Sequence, residues 1–180
     1  KAAVLAESVM SAEIPASLVD KLAEAGTIFI SGRNNGVAEE LALKTNEIVR
    51  KPSRYLEGTL ALHGVEEIMA AKDVVVFIDP PETEFAMMEK IFHQNIGATV
   101  IVLGPKATPF PTIITPILDG YSNFLALMAG WNLLVETGLK EEVERVTHDA
   151  AGLHAEELHH LAAVEWRLDG VELLLLAQLG

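Results

Sequence analysis

Residues 30–63 read ISGRNNGVAEELALKTNEIVRKPSRYLEGTLALH. The segment enters from an apolar, β-branched run, Thr27 to Ile30, of the kind that forms a buried parallel strand. Ser31, Gly32, Arg33, Asn34, Asn35 and Gly36 then make a turn rich in small and amide side chains, and a helix is expected from about Val37 to Val49, where Pro52 follows and ends it. Glu40, Lys44 and Glu47 are spaced four and three residues apart, so they share one face of that helix. A second extended segment near Ser53 to Leu56 leads to His63 and a further helix over about 63–70.

Working outward, the same alternation repeats. DVVVFID at 73–79 is a strand closed by Pro80 and Pro81, 84–95 is an amphipathic helix through Phe85, Met88, Ile91 and Phe92, and ATVIVLG at 98–104 is another buried strand. Thr112 to Thr115 forms a short strand, and Asp119 or Ser122 caps a long apolar helix running to Thr137. Two helices, Ala2 to Met10 and Ser17 to Ala25, precede the first strand. Strands alternating with helices, each strand apolar on both faces, predict an α/β domain of three layers, α-β-α, around a parallel sheet. Residues 1–26 are expected to be linker helices, 27–138 the α/β domain, and 139–180 a C-terminal helical segment in which proline disappears.

Composition narrows the functions. The 180 residues are half apolar, which suits one domain with a sizeable core. Thirteen basic against 26 acidic residues give a net charge of -13, which opposes binding to nucleic acid or to an anionic membrane. Zero cysteines exclude thiolate chemistry and fit a cytoplasmic protein. The longest apolar run, near Leu173 to Ala177, falls far short of the roughly 20 residues a membrane span needs. The chain opens on Lys1, already in a helical pattern, which suggests part of a longer polypeptide.

In an open α/β sheet, ligands sit at the carboxyl ends of the strands, where Ser31 to Gly36 lies. The turn is neither a GxGxxG nor a Walker A loop. On spacing alone, the Glu40–Lys44–Glu47 stripe reads first as a solvated ion-pair ladder, and the sharper reading makes it the setting of a general base, with Glu47 as the carboxylate. His63, beside Gly64, reads as a helix-start residue or as a group that gives and takes protons near neutrality. In the tail, Glu156 with His159, and Glu157 with His160, have the i, i+3 spacing of helix-borne metal ligands. His159 and His160 point about 100° apart on a helix and do not converge on one ion. Together with His148 and His154 they are read as a solvated amphipathic face, and no metal or other cofactor is expected. Trp131, Trp166, Met87 and Met88 are read as core or interface residues.

The succession of strand, SGR-N-N-G, A-E-E-x-A-L-K-x-x-E-I and a later His-Gly resembles the sugar isomerase (SIS) family. The likeness is greatest to the C-terminal SIS repeat of the isomerase half of glucosamine-6-phosphate synthase and to related phosphosugar isomerases and deaminases. It covers roughly residues 25–138. The resemblance implies a flavodoxin-like sheet and a sugar phosphate as ligand. It also implies an aldose–ketose isomerase in which Glu47 transfers the proton, Lys44 stands one turn before it and His63 assists ring opening, with Ser31, Gly32, Arg33, Asn34, Asn35 and Glu40 contributing to binding. A homodimer or a second SIS repeat is implied as partner, because the family's histidine commonly reaches a neighbouring subunit's site. Three features depart from the pattern: Val65 stands where the family has proline in H-G-P, the S-x-S-G-x-T phosphate loop is absent, and the tail lysine has no counterpart. The other function compatible with the resemblance is a regulatory module that senses a sugar phosphate without turnover.

Overall fold

The structure, a computed structural model, describes residues 1–33 and 35–151, with the side chains of 143–151 left aside. Residues Lys1–Glu141 form one compact unit, and Glu142–Gly180 belong to another. Five parallel strands make the sheet: β1 (Ile28–Gly32), β2 (Ser53–Glu57), β3 (Val74–Ile78), β4 (Thr99–Gly104) and β5 (Thr112–Ile114), in the order β2-β1-β3-β4-β5. Helices α1 (Ala2–Met10), α2 (Ala16–Ala23), α3 (Val37–Lys44), α4 (Phe85–Met88) and α5 (Ser122–Ala151) complete the chain order. α3 runs on as a π-helical turn over Thr45–Val49, and α4 does so over Glu89–Ile96. The three-layer parallel α/β architecture is thus the one the alternation predicted. No described helix is long and apolar enough to cross a membrane.

The two cores follow from the pleat, which sends successive side chains to opposite faces. Ile28, Ile30, Val74, Val76, Ile78, Ile101 and Leu103 face helices α1, α2, α3 and α5 through Val9, Leu22, Leu41 and Leu133. Phe29, Val75, Phe77, Val100 and Val102 face the other way, onto Leu62, Met88, Phe92 and Phe110. Burial on both faces is why these strands read as unbroken apolar runs.

The first two helices share the domain core, since Val9, Leu18 and Leu22 pack in it. A polar tie adds to this packing. The buried Asn132 side chain of α5 donates to the Val9 carbonyl (3.1 Å) and the Ala12 carbonyl (2.8 Å), where α1 ends and its last carbonyls lack a full set of helical partners. Replacing Asn132 with Ala removes both bonds and leaves the Val9 carbonyl only a long bond from the Ala12 amide (3.4 Å), and a loss of about 1–3 kcal/mol in urea unfolding is expected.

Two local expectations are corrected. In place of a helix over 63–70 there are two 3₁₀ turns, Leu60–Leu62 and Val65–Ile68. Gly64 between them adopts φ 99°, a left-handed conformation that interrupts helical bonding. Conversely, the long helix does not stop near Thr137; α5 continues through Gly138 to Ala151. Gly138 is there because a Cβ at that point would lie 3.0 Å from the Ile48 side chain and carbonyl, so the missing side chain lets α5 pass the end of α3.

Candidate functional site

Strand order 2-1-3-4-5 reverses direction between β1 and β3, and the crevice beyond the carboxyl ends of those strands is where such sheets bind ligands. A cleft of about 260 Å³ occupies that place, with Arg33 and Asn35 after β1, Asp79 after β3 and Thr115 after β5 on its walls. Ile78, Leu103 and Ala126 supply apolar surface.

Gly32 makes the crevice possible. A Cβ on it would stand 3.1 Å from the Ala38 Cβ and 3.2 Å from that of Ile78, so a side chain here would crowd the start of α3 against the sheet. The N-termini of α3 and α5 both reach the cleft, through Val37 and through Ser122 and Asn123. Asn35 bridges the two helix starts: its Oδ1 accepts from the Val37 amide (3.2 Å) and its Nδ2 donates to Asn123 Oδ1 (3.2 Å). Ser122 Oγ accepts from the Leu118 amide and donates to the Leu118 carbonyl, each at 3.0 Å, and so fixes the entry to α5. Two helix N-termini, one guanidinium and several hydroxyl and amide groups favour an anionic, hydroxylated ligand.

The residues singled out from sequence fall into three places. Arg33 and Asn35 line the cleft, whereas Ser31 is fully buried and donates to the Gly58 carbonyl (2.8 Å), holding the ends of β1 and β2 together. Gly32 shapes the cleft from behind, and Asn34 lies outside the described residues. Glu40, Lys44 and Glu47 form a stripe on the outer flank of α3. Lys44 Nζ donates to Glu47 Oε2 at 2.6 Å and lies 3.9 Å from Glu40 Oε1. The bond to Glu47 raises the Lys44 pKa above its usual 10.5, against the opposing effect of burial, and the charges of Glu47 and Glu40 add to the rise. The ammonium therefore persists through the neutral range, and one Glu47 oxygen is engaged while the other is open.

Glu47 stands ten residues beyond Val37 along the helical path, on the order of 15 Å from the cleft at 1.5 Å per residue. His63 follows Leu62, which packs in the core on the sheet face opposite α3. Its Nε2 lies 3.4 Å from Thr59 Oγ1, with the ring exposed. Neither Glu47 nor His63 lines the cleft.

Asp79, Thr115, Ser122 and Asn123 line the cleft without having been singled out as binding groups. The available signals were an acidic residue ending an apolar strand before Pro80-Pro81 and a polar pair opening a long helix. Among the described residues no group of three or more His, Asp or Glu could hold a metal. Met88 and Trp131 pack in or against the cores. The His148 side chain, His154, Glu156, Glu157, His159, His160 and Trp166 lie outside the described residues.

Neither a family model nor a curated protein matches the chain in sequence. Solved structures do match. The E. coli CFT073 protein c3406, solved as a ligand complex, superposes with a TM-score of 0.57 at 21% identity over 76% of this chain and 84% of its own. The chain has the SIS fold. The sugar isomerase domain of an RpiR transcription factor from Sphaerobacter thermophilus matches with a TM-score of 0.56 at 14% identity, over 82% of this chain and 92% of that one. The C-terminal domain of glucosamine-fructose-6-phosphate aminotransferase from Francisella tularensis matches with a TM-score of 0.51 at 14% identity, over 76% of this chain. This chain spans only 42% of that domain. SIS folds of this kind thus occur in an aminotransferase and in a transcription factor, so the fold leaves turnover and sensing both open.

Proposed function

We propose that this chain is a sugar-phosphate-binding SIS domain that completes an aldose–ketose isomerase when two SIS units come together. The observation that carries the reading is the cleft at the β1/β3 crossing, where Arg33 and the starts of α3 and α5 converge. In it the phosphate meets Arg33 and the helix amides, and the sugar hydroxyls meet Asn35, Thr115 and Asn123. Glu47, as the general base, removes the proton from the carbon beside the sugar carbonyl and returns it to the neighbouring carbon. His63 moves the ring-opening proton. Since Glu47 stands on the order of 15 Å from the cleft of its own chain, it serves the sugar held by the partner unit.

Binding is tested first. Titration calorimetry with a hexose 6-phosphate is expected to give a measurable heat of binding. Arg33→Ala is expected to weaken binding about tenfold or more, the loss of a charged hydrogen bond of about 1.5–3 kcal/mol. Equal affinity in the two proteins would place the ligand elsewhere.

A second reading draws on the same geometry. Arg33, Asn35, Thr115 and Asn123 line the cleft and none of the proposed catalytic groups does, which suits a sensor that binds without turnover. Deuterium exchange at the sugar's second carbon separates the two: an isomerase exchanges that proton with solvent, and a sensor leaves it in place.

A further inference from the structure

We infer that Asp79, set against Arg33, makes the cleft select a phosphate joined to a hydroxylated carbon chain over a bare phosphate. The inference rests on the binding reading above and assigns the residue that sets its selectivity. Arg33 and Asp79 leave the two strands that flank the crossing point, and both line the cleft. Their nearest approach, Arg33 Nη2 to Asp79 Oδ2, is 3.9 Å, and the side chains are 73% and 55% exposed.

A solvated pair at that distance holds Arg33 weakly. A phosphate presents oxygens to two guanidinium N–H groups at once and takes Arg33 from Asp79. Asp79 then stands beside the ligand without its cation. An ionised carboxylate only accepts hydrogen bonds, so it repels phosphate oxygens and accepts from hydroxyls. The other polar side chains of the cleft, Asn35, Thr115, Ser122 and Asn123, are neutral, so only Arg33 and the partial charges of the helix N-termini oppose that charge. A bare phosphate meets Arg33 and the repulsion together. A sugar phosphate sets its phosphate on Arg33 and offers hydroxyls to Asp79.

The backbone of Asp79 is fixed where it lines the cleft. Asp79 adopts φ 47°, in the left-handed region, and its amide donates to the Leu103 carbonyl at 2.8 Å, which anchors it to β4. Asn tolerates that conformation as Asp does, and Gly does so freely. Asp79→Asn and Asp79→Gly therefore remove the charge while keeping the turn.

The test is calorimetric titration of wild type and both variants with inorganic phosphate and with a hexose 6-phosphate, at one salt concentration. In wild type the sugar phosphate is expected to bind more tightly. In both variants inorganic phosphate is expected to gain about tenfold in affinity, the scale of one charged contact, and the preference for the sugar phosphate to narrow by a similar factor. If both ligands bind and the preference is unchanged in the variants, Asp79 does not set selectivity, and the binding reading survives. If wild type binds neither ligand, both conclusions fall.

Discussion

Glu47→Gln is expected to slow proton exchange at the second carbon of a hexose phosphate by about 10²–10⁴-fold, the usual contribution of a positioned general base. Gln keeps the shape of Glu and an oxygen for the Lys44 ammonium, which now sits 2.6 Å from Glu47 Oε2, so the outer face of α3 is preserved. Only the ability to take a proton is removed. Affinity for the sugar phosphate is expected to be unchanged, because Glu47 does not line the cleft. A fall in rate without a change in binding is the mark of an interaction made only in the transition state. Exchange that persists in the variant would assign the base to another residue, and a parallel loss of binding would mean that the stripe and the cleft are one structural unit.

The second large effect concerns the sheet that carries the cleft. Phe77 is buried in β3, the central strand, with its ring centroid 5.7 Å from that of Phe92 on the flanking π-helical turn. Its strand neighbours Ile78 and Asp79 form part of the cleft wall. Phe77→Ala is expected to cost about 3–5 kcal/mol through lost burial and the cavity left behind, a large share of the 5–15 kcal/mol typical of a domain. For a domain of this size that corresponds to a melting temperature lower by roughly 10 °C. Urea and thermal unfolding followed by circular dichroism measure both. A cost under about 1 kcal/mol would mean that the core can collapse around the gap, contrary to the packing of Met88 and Phe92 against this strand.

How much of this was legible in the sequence depended on how local the cause was. Strands β3 and β4 announced themselves because both faces are buried, which leaves no polar residue between Val74 and Ile78. β1 was placed with its end at Ile30, but pairing with β2 continues to Gly32, whose partner is Glu57. The pairing is long-range, and nothing within the turn encodes it. The helix expected at 63–70 is broken near its start by Gly64, whose left-handed backbone divides the segment into two 3₁₀ turns. The stop expected at Thr137 failed for the opposite reason, since the next residue, Gly138, serves a crossing with Ile48 rather than a helix end. Arg33 and Asn35 were legible as site residues because they sit directly after a strand. Asp79 comes from the connection after β3, Thr115 from the one between β5 and α5, and Ser122 and Asn123 from the start of α5, and only the sheet order brings them to the same crevice.

That separation of cleft from stripe leads to the central claim, that the bound sugar and its base come from different chains. Each half can be disabled alone: Arg33→Ala in the cleft, Glu47→Gln on the stripe. At a sugar-phosphate concentration well below the dissociation constant of Arg33→Ala, each variant by itself is expected to show only a small fraction of wild-type exchange. When the two are unfolded together in equal amounts and refolded, about half of the symmetric dimers are mixed, and each carries one site with both an intact cleft and an intact base. Exchange activity is then predicted to return to about a quarter of the wild-type value. Two variants whose exchange stays at that small fraction after mixing, in dimers shown to have exchanged chains, would contradict the account.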